Sequence, residues 1–301
     1  MEHNATVTTP APQDQIDCPA CGAVSHRGSQ FQFESGRGAT GWARCPDCDT
    51  YYMADGYDAD KETDHTRHMA WGNEAEGVAL NQRKRNGFVA ALDQIEALGY
   101  GGSKILDVGC SFGGILLEAR QRGFDGAGVD IVPEAVKWMK AQGFRAEECA
   151  SLKNCSLFSP QNPADVITVL DAHIYWPDQP GELKAAWHLL RDDGLLMIRA
   201  VTKSSYITTG RMVGTVSPGF SKKLIRRAIA DHRFSMPLKS LLRTVRAAGF
   251  EILSASPRGA QHTDNMPLPA RAAFAMGTML WHSLGVSIAP TTLVFARKIA
   301  A

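Results

Sequence analysis

Three stretches of this sequence carry residues whose types and spacing could do chemistry. Cys18-Pro19-Ala20-Cys21 and Cys45-Pro46-Asp47-Cys48 are two C-x-x-C pairs. Each pair can grip one metal ion from a tight turn, and two pairs complete a tetrahedral thiolate site. Four protein ligands leave no open position, so such a site is structural or a recognition surface and not catalytic. Redox-active dithiols are the competing reading, although neither pair opens a helix beside a strand as a thioredoxin-like motif would. The second stretch is Asp107-Val108-Gly109-Cys110-Ser111-Phe112-Gly113-Gly114. Its glycines allow a tight turn and close approach of a ligand to the backbone. Asp130, about 20 residues beyond Gly109, can accept both hydroxyls of a ribose. The third is Leu170-Asp171-Ala172-His173-Ile174-Tyr175-Trp176-Pro177-Asp178. An imidazole titrating near neutrality suits a base that deprotonates a hydroxyl or a carbon acid, which makes His173 the first catalytic candidate. Tyr175 is the second, and Asp171 could orient either. The alternative for His173 is a hydrogen bond that ties down its own loop.

These residues need rigid elements behind them, and the sequence supplies alternating strands and helices. The apolar run 104–108 reads as a buried strand ending in the glycine turn, and a helical run follows to residue 122. A second strand, 126–130, stops on Asp130. A helix at 133–142, a third strand at 144–148 and a fourth at 165–170 come next, the last apolar enough to be buried on both faces. A helix at 182–190, strands at 194–201 and 250–255 with a helix at 237–248 between them, and a last strand at 291–296 complete the series. Upstream, Val78, Leu80, Phe88, Ala91, Leu92 and Ile95 recur at helical spacing over 76–98. Such alternation predicts an α/β, parallel, doubly wound sheet with right-handed crossovers. Ligands in these sheets sit at the carboxyl ends of strands, where the glycine turn and the His173 loop both fall. Between the cysteine pairs, residues 31–44 alternate and contain glycines as hairpin strands do, and 50–53 is strand-like, which describes a zinc ribbon.

A dinucleotide fingerprint, G-x-G-x-x-G, puts a second glycine beneath a pyrophosphate. Here Ser111 stands in that place, and Asp107 disfavours a phosphate while suiting a cationic ligand such as a sulfonium nucleoside. The run LDVGCSFGG followed by GVD resembles motif I and the post-I acid of class I S-adenosylmethionine-dependent methyltransferases. The resemblance implies a Rossmann-like sheet with an antiparallel last strand. It implies cofactor contacts from Asp107, Gly109, Cys110, Gly113 and Asp130, with Ile131 and Asp171 beside them. The C-x-x-C ribbon, HLLRDDGLLMIRA and MPLKSLLRTVRAAGFEIL extend it over almost the whole chain. They resemble a branch with an N-terminal zinc ribbon, similar to sugar C-methyltransferases and other glycan- or natural-product-modifying enzymes. Those enzymes often carry a Glu-His pair where this chain has Ala172-His173. The missing acid weakens the sugar C-methylation mechanism, and methyl transfer by proximity alone needs no base.

The 301 residues suffice for one full α/β domain plus additions. The expected order is a disordered tail at 1–16, a zinc ribbon at 17–56, and an acidic, loop-like linker to about 75 leading into the helix, with both within 57–99. The methyltransferase domain then fills 100–301 with a basic insertion at about 202–235. His65 and His68 read as surface helix residues and not as a second metal site. The cations of the insertion could hold the phosphate of a nucleotide- or lipid-linked sugar. A solvated helix carrying Lys222, Lys223, Arg226 and Arg227 outward is the competing reading. The segment 271–288 reads as a packed helix, with a peripheral membrane or dimer contact as the minority reading. A net charge of +1 argues against general nucleic-acid coating. No secretory signal and no apolar run long enough to span a bilayer is visible, and the seven cysteines do not suggest a disulfide framework, so a cytoplasmic location is expected.

The expected cofactors are S-adenosylmethionine and a structural zinc ion, and the expected acceptor is a small molecule or glycan precursor methylated at oxygen or carbon. An RNA methyltransferase using the ribbon and basic insertion is the alternative, disfavoured because Glu34, Asp47 and Asp49 offset Arg37, Trp42 and Arg44. A non-catalytic zinc adaptor with a vestigial fold is the second, disfavoured by the intact glycine turn.

Overall fold

The computed structural model describes residues 16–25, 31–35, 38–54, 56–68, 73–229, 232–256 and 291–300, with a few helical positions between 275 and 283. The expected tail and most of the 271–288 segment lie outside the described residues. In the N-terminal part, β1 (Ile16–Asp17) pairs with β2 (Val24–Ser25) across the first cysteine turn. Strands β3 (Phe31–Ser35), β4 (Gly38–Arg44) and β5 (Tyr51–Met53) then form an antiparallel sheet, with the second cysteine turn between β4 and β5. Most of the linker is not the expected loop: helix α1 (Ala59–Arg67) takes up much of it and carries His65, with His68 as its C-cap. Asp58 caps this helix by accepting from the Asp60 and Lys61 N–H groups, and Asp60 and Glu62 stand in its first turn. Carboxylates there favour a helix start through the macrodipole, so the acidity that suggested a loop is itself a helix signal. Helix α2 (Glu74–Ala97) follows, burying Phe88, Ala91, Leu92 and Ile95 at the expected spacing.

The main sheet takes β6 (Lys104–Val108), then α3 (Gly114–Gln121), β7 (Asp125–Asp130), α4 (Pro133–Ala141) and β8 (Arg145–Glu148) on one side. The chain then crosses to β9 (Ala164–Leu170), α5 (Gln179–Leu189) and β10 (Leu190–Val201) on the other. After β10 come helices α6 (Ser204–Val213) and α7 (Pro218–Ile229), strand β11 (Phe234–Ser235), helix α8 (Leu238–Ala247), β12 (Phe250–Ser256) and β13 (Thr291–Lys298). The seven strands run β12-β13-β10-β9-β6-β7-β8, with β13 antiparallel to both neighbours and the remaining pairs parallel. Alternation along the strands feeds two core layers. Leu106, Val108, Ile167 and Val169 pack with Leu183, Leu241 and Val245 of α5 and α8. Ile105, Val166, Leu195 and Met197 pack on the other side with Leu92, Leu116 and Met139 of α2, α3 and α4. The basic insertion is not a free appendage: β11 pairs antiparallel with β5, making it the fourth strand of the ribbon sheet. The ribbon is likewise fused to the main domain, since Cys18, Cys45 and Cys48 share the α5–α8 core layer.

Candidate active site

Chain order places β7 and β8 on one side of β6 and β9 and β10 on the other, so the crevice between β6 and β9 is the topological switch point. A cleft opens there, at the strands' carboxyl ends. Asp107, Gly109, Cys110, Ser111, Asp130 and Ile131 line its first half. Gly109 has φ 72°, and a Cβ on it would sit 2.7 Å from the Ala172 Cβ, so glycine is what lets the two loops meet. Ser111, at φ 45°, adopts the left-handed region without being glycine, a local cost of about 1–2 kcal/mol. Its N–H donates to Asp130 Oδ2 at 2.7 Å, and the Val132 N–H donates to Oδ1 at 2.9 Å. This carboxylate lines the cleft, and an ionised carboxylate offers about four acceptor directions in all, enough to leave capacity for a ribose hydroxyl. Burial pushes the Asp130 pKa up, opposed by the backbone N–H groups of Val132, Ser111 and Ile131. Burial pushes Asp107 further, to about 7, opposed by the Thr168 hydroxyl that donates to it at 2.6 Å. The far wall carries Ser151 and Leu152, held by buried Glu182, which accepts from the Leu152 N–H at 2.8 Å and from the Ser151 hydroxyl.

The second half of the cleft is built by α1, α2 and the loop after β9. Helix α2 supplies Asn81, Lys84 and Phe88, and α1 supplies Glu62 and Thr66. Asn81 also donates to the Phe112 carbonyl at 2.8 Å, fixing α2 over the glycine turn. Desolvation lowers the Lys84 pKa to about 8, partly countered by the negative charge of Asp171. Asp171, at φ 64°, is clamped by two bonds from the buried Arg199 guanidinium. Burial alone would raise its pKa, but the charges around it, Arg199 foremost and Lys84 after it, more than offset this and hold it below the usual carboxylate value. Tyr175 and Trp176 complete this wall. Below it, Arg233 and Glu62 form a buried ion pair, with Arg233 also stacked 5.1 Å from the Tyr57 ring centroid.

The four cysteines converge as the spacing predicts. Their sulfurs all lie within 4.8 Å of one another, with Cys18–Cys48 at 3.6 Å and Cys21–Cys45 at 3.7 Å. A zinc ion about 2.3 Å from four tetrahedral sulfurs sets edges of about 3.8 Å, so the set fits that ion. The knuckle carbonyls are tied to the main domain: Cys48 O accepts from Ser240, Asp47 O from Arg243, Ala20 O from Thr244, and Pro19 O from the Gln179 N–H.

A family model described as a methyltransferase domain matches residues 80–255, more than half of the chain. The chain belongs to this family of S-adenosylmethionine-dependent methyltransferases. It is 25% identical over 160 residues to the ubiquinone biosynthesis O-methyltransferase of Xylella fastidiosa, covering 50% of this chain and 62% of that protein. It is 26% identical over 158 residues to the protein of the same name from Idiomarina loihiensis, with the same two coverages. The chain therefore spans less than two thirds of the length of these curated relatives. Among solved structures, it is similar to a chain in the Haloferax volcanii complex of the Trm112 methyltransferase activator with a methyltransferase. That match has a TM-score of 0.55 at 15% identity, covering 77% of this chain and 97% of that one. A methyltransferase from Listeria monocytogenes gives a TM-score of 0.51 at 14% identity, covering 71% and 99%. Both show the fold.

Most cofactor candidates of the sequence are brought together, and two candidates are placed elsewhere. Asp107, Gly109, Cys110, Asp130, Ile131 and Asp171 line the cleft. Gly113 does not: it starts α3 at φ 66°, where a Cβ would sit 2.5 Å from Met139 Sδ, so its place is a packing contact with α4. The Cys110 side chain fills the slot left by Gly128, whose Cβ would lie 2.6 Å from the sulfur, and burial pushes its thiol pKa well up. Tyr175 faces the cleft, whereas His173 is fully buried and forms none of the cleft wall. His173 Nδ1 lies 3.0 Å from Gln179 Oε1 and its ring meets the Phe234 ring at 5.9 Å. Burial lowers its pKa, keeping the ring neutral. Lys84, Glu62 and Arg199 escaped the sequence reading. Lys84 had a signal: it stands midway between Leu80 and Phe88 on the apolar face of α2. Arg199 had another, a lone charge in the buried run of β10.

Proposed function

We propose that this protein transfers a methyl group from S-adenosylmethionine to a hydroxyl of a small-molecule acceptor. One observation carries the reading: a single cleft joins the glycine turn and Asp130 to a polar wall made of Lys84, Tyr175 and the Asp171–Arg199 pair. The names of the curated relatives favour O-methylation of a small molecule over the glycan precursor that the ribbon branch suggests. When bound, S-adenosylmethionine supplies an electrophilic methyl group. Asp130 would accept the ribose hydroxyls, and Asp107 would favour positive charge in the same half of the cleft. Lys84 is the side chain best suited to take the acceptor's proton, because desolvation brings its pKa close to working pH. Tyr175 would hold the acceptor hydroxyl by a hydrogen bond. His173 would act as a positioning residue, linking the loop through Gln179 to the first cysteine turn. The four thiolates would hold a structural zinc ion. The test is incubation of the purified protein with methyl-labelled S-adenosylmethionine and panels of small hydroxylated acceptors or total RNA. Label in the small-molecule fraction is the expected result. Label confined to RNA would replace this reading with the nucleic-acid one.

A further inference from the structure

Helices α6 and α7 form a hairpin that meets the ribbon sheet with one face and solvent with its far end. The inner face is settled: Ile207, Ile225, Ala228 and Ile229 pack with Phe33, Trp42, Tyr51 and Met53. The two helices are close, since a Cβ on Gly210 would sit 2.7 Å from Ile225 Cγ1. The far end is different. Met212 is 76% exposed, Val216 87% and Phe220 52%, all within the connecting turn and the helix ends beside it. Scattered single exposures are ordinary on a protein surface, but three large apolar side chains at one tip are not. On α7 the buried positions Ser221, Ile225, Ala228 and Ile229 define the inner stripe, which leaves Lys222, Lys223, Arg226 and Arg227 exposed on the outward face. No Asp or Glu occurs anywhere from Arg199 to Ala230, so the sequence gives these cations no acid of their own segment.

We propose that the α6–α7 hairpin is a membrane-docking element that seats Met212, Val216 and Phe220 in an anionic lipid surface. The cations of α7 then meet the lipid phosphates. Charge decides the sign of the surface, and the apolar tip decides its kind. A polyanion such as RNA would satisfy the cations and leave Met212 and Val216 in water. A second copy of this chain would bring the same cations against themselves. An anionic bilayer takes up both features, in the manner of an interfacial amphipathic helix. The inference does not depend on which acceptor is methylated.

The test is co-sedimentation of the full chain with vesicles of phosphatidylcholine alone or mixed with phosphatidylglycerol. Binding is expected to the mixed vesicles, to weaken as salt rises, and to be absent from phosphatidylcholine alone. Met212→Ser/Val216→Ser/Phe220→Ser and Lys222→Glu/Lys223→Glu/Arg226→Glu/Arg227→Glu should each lower the partition by ~10-fold or more. Both sets of side chains are exposed, and unchanged thermal melting of the variants shows that the fold is kept. Wild-type protein remaining in the supernatant with both vesicles would overturn the proposal. So would equal binding by either variant, or a dimer in solution that the serine variant abolishes while vesicle binding is absent.

Discussion

At the residue scale, the side chain with the clearest titratable consequence is Lys84. Desolvation in the cleft wall brings its pKa from 10.5 to about 8, so the neutral amine that can accept a proton is present above that value and lost below it. Turnover limited by this base should rise with pH through about 8 and then level. Lys84→Met should lower kcat by roughly 10²–10⁴-fold and remove the rise, measured as a pH profile of kcat at saturating substrate. An unchanged profile would move the base to another group. His173, the first candidate on type and position, shows what a motif cannot say. The loop reaches the right place, but the imidazole turns inward to Gln179 and Phe234 while Tyr175, two residues on, faces the cleft. Which of two neighbouring side chains points into a site depends on the short turn at 173–175 after β9, and no periodicity in the sequence encodes that.

At the element scale, the alternation of apolar runs and helical periods made the central sheet legible to within a few residues, because buried strands and amphipathic helices have their own periods. The β10 boundary moved from residue 194 to Leu190, since Leu190 pairs with Ala164 before a bulge that the turn-like residues Asp192, Asp193 and Gly194 disguise. The extent and the buried side of helix α1 were hidden for a different reason: it buries Glu62, a charge whose partner Arg233 lies far along the chain before β11. Sequence reading assigns such a residue to solvent, and only the tertiary pairing brings it inside. The pair joins the cleft wall to the basic insertion, so breaking it on one side leaves the Glu62 carboxylate buried without its cation. Arg233→Met should cost about 3–5 kcal/mol of folding stability, and Glu62→Leu/Arg233→Met should recover most of that loss. Urea unfolding of the three proteins measures this; equal stability of Arg233→Met and wild type would show that the pair does not hold the wall.

At the scale of the whole molecule, ribbon, insertion and methyltransferase sheet are one body. Strand β11 extends the ribbon sheet, α8 donates side-chain hydrogen bonds to the knuckle carbonyls, and Gln179 joins the first cysteine turn to the loop after β9. A metal held by the four cysteines would therefore stabilise the domain and not merely the ribbon. Freshly purified protein should contain one zinc ion per chain by elemental analysis. Its removal by a chelator should lower Tm by at least about 5 °C, and a metal-free preparation with the same Tm would contradict the account. The central claim, that the cleft at the switch point binds S-adenosylmethionine through Asp130, is tested most directly by calorimetric titration with S-adenosylhomocysteine. Wild-type protein should bind at a single site. A folded Asp130→Ala variant should bind at least about 100-fold more weakly, as expected for losing two hydrogen bonds to a charged acceptor. Absence of binding by the wild type, or equal affinity of the two proteins, would contradict it.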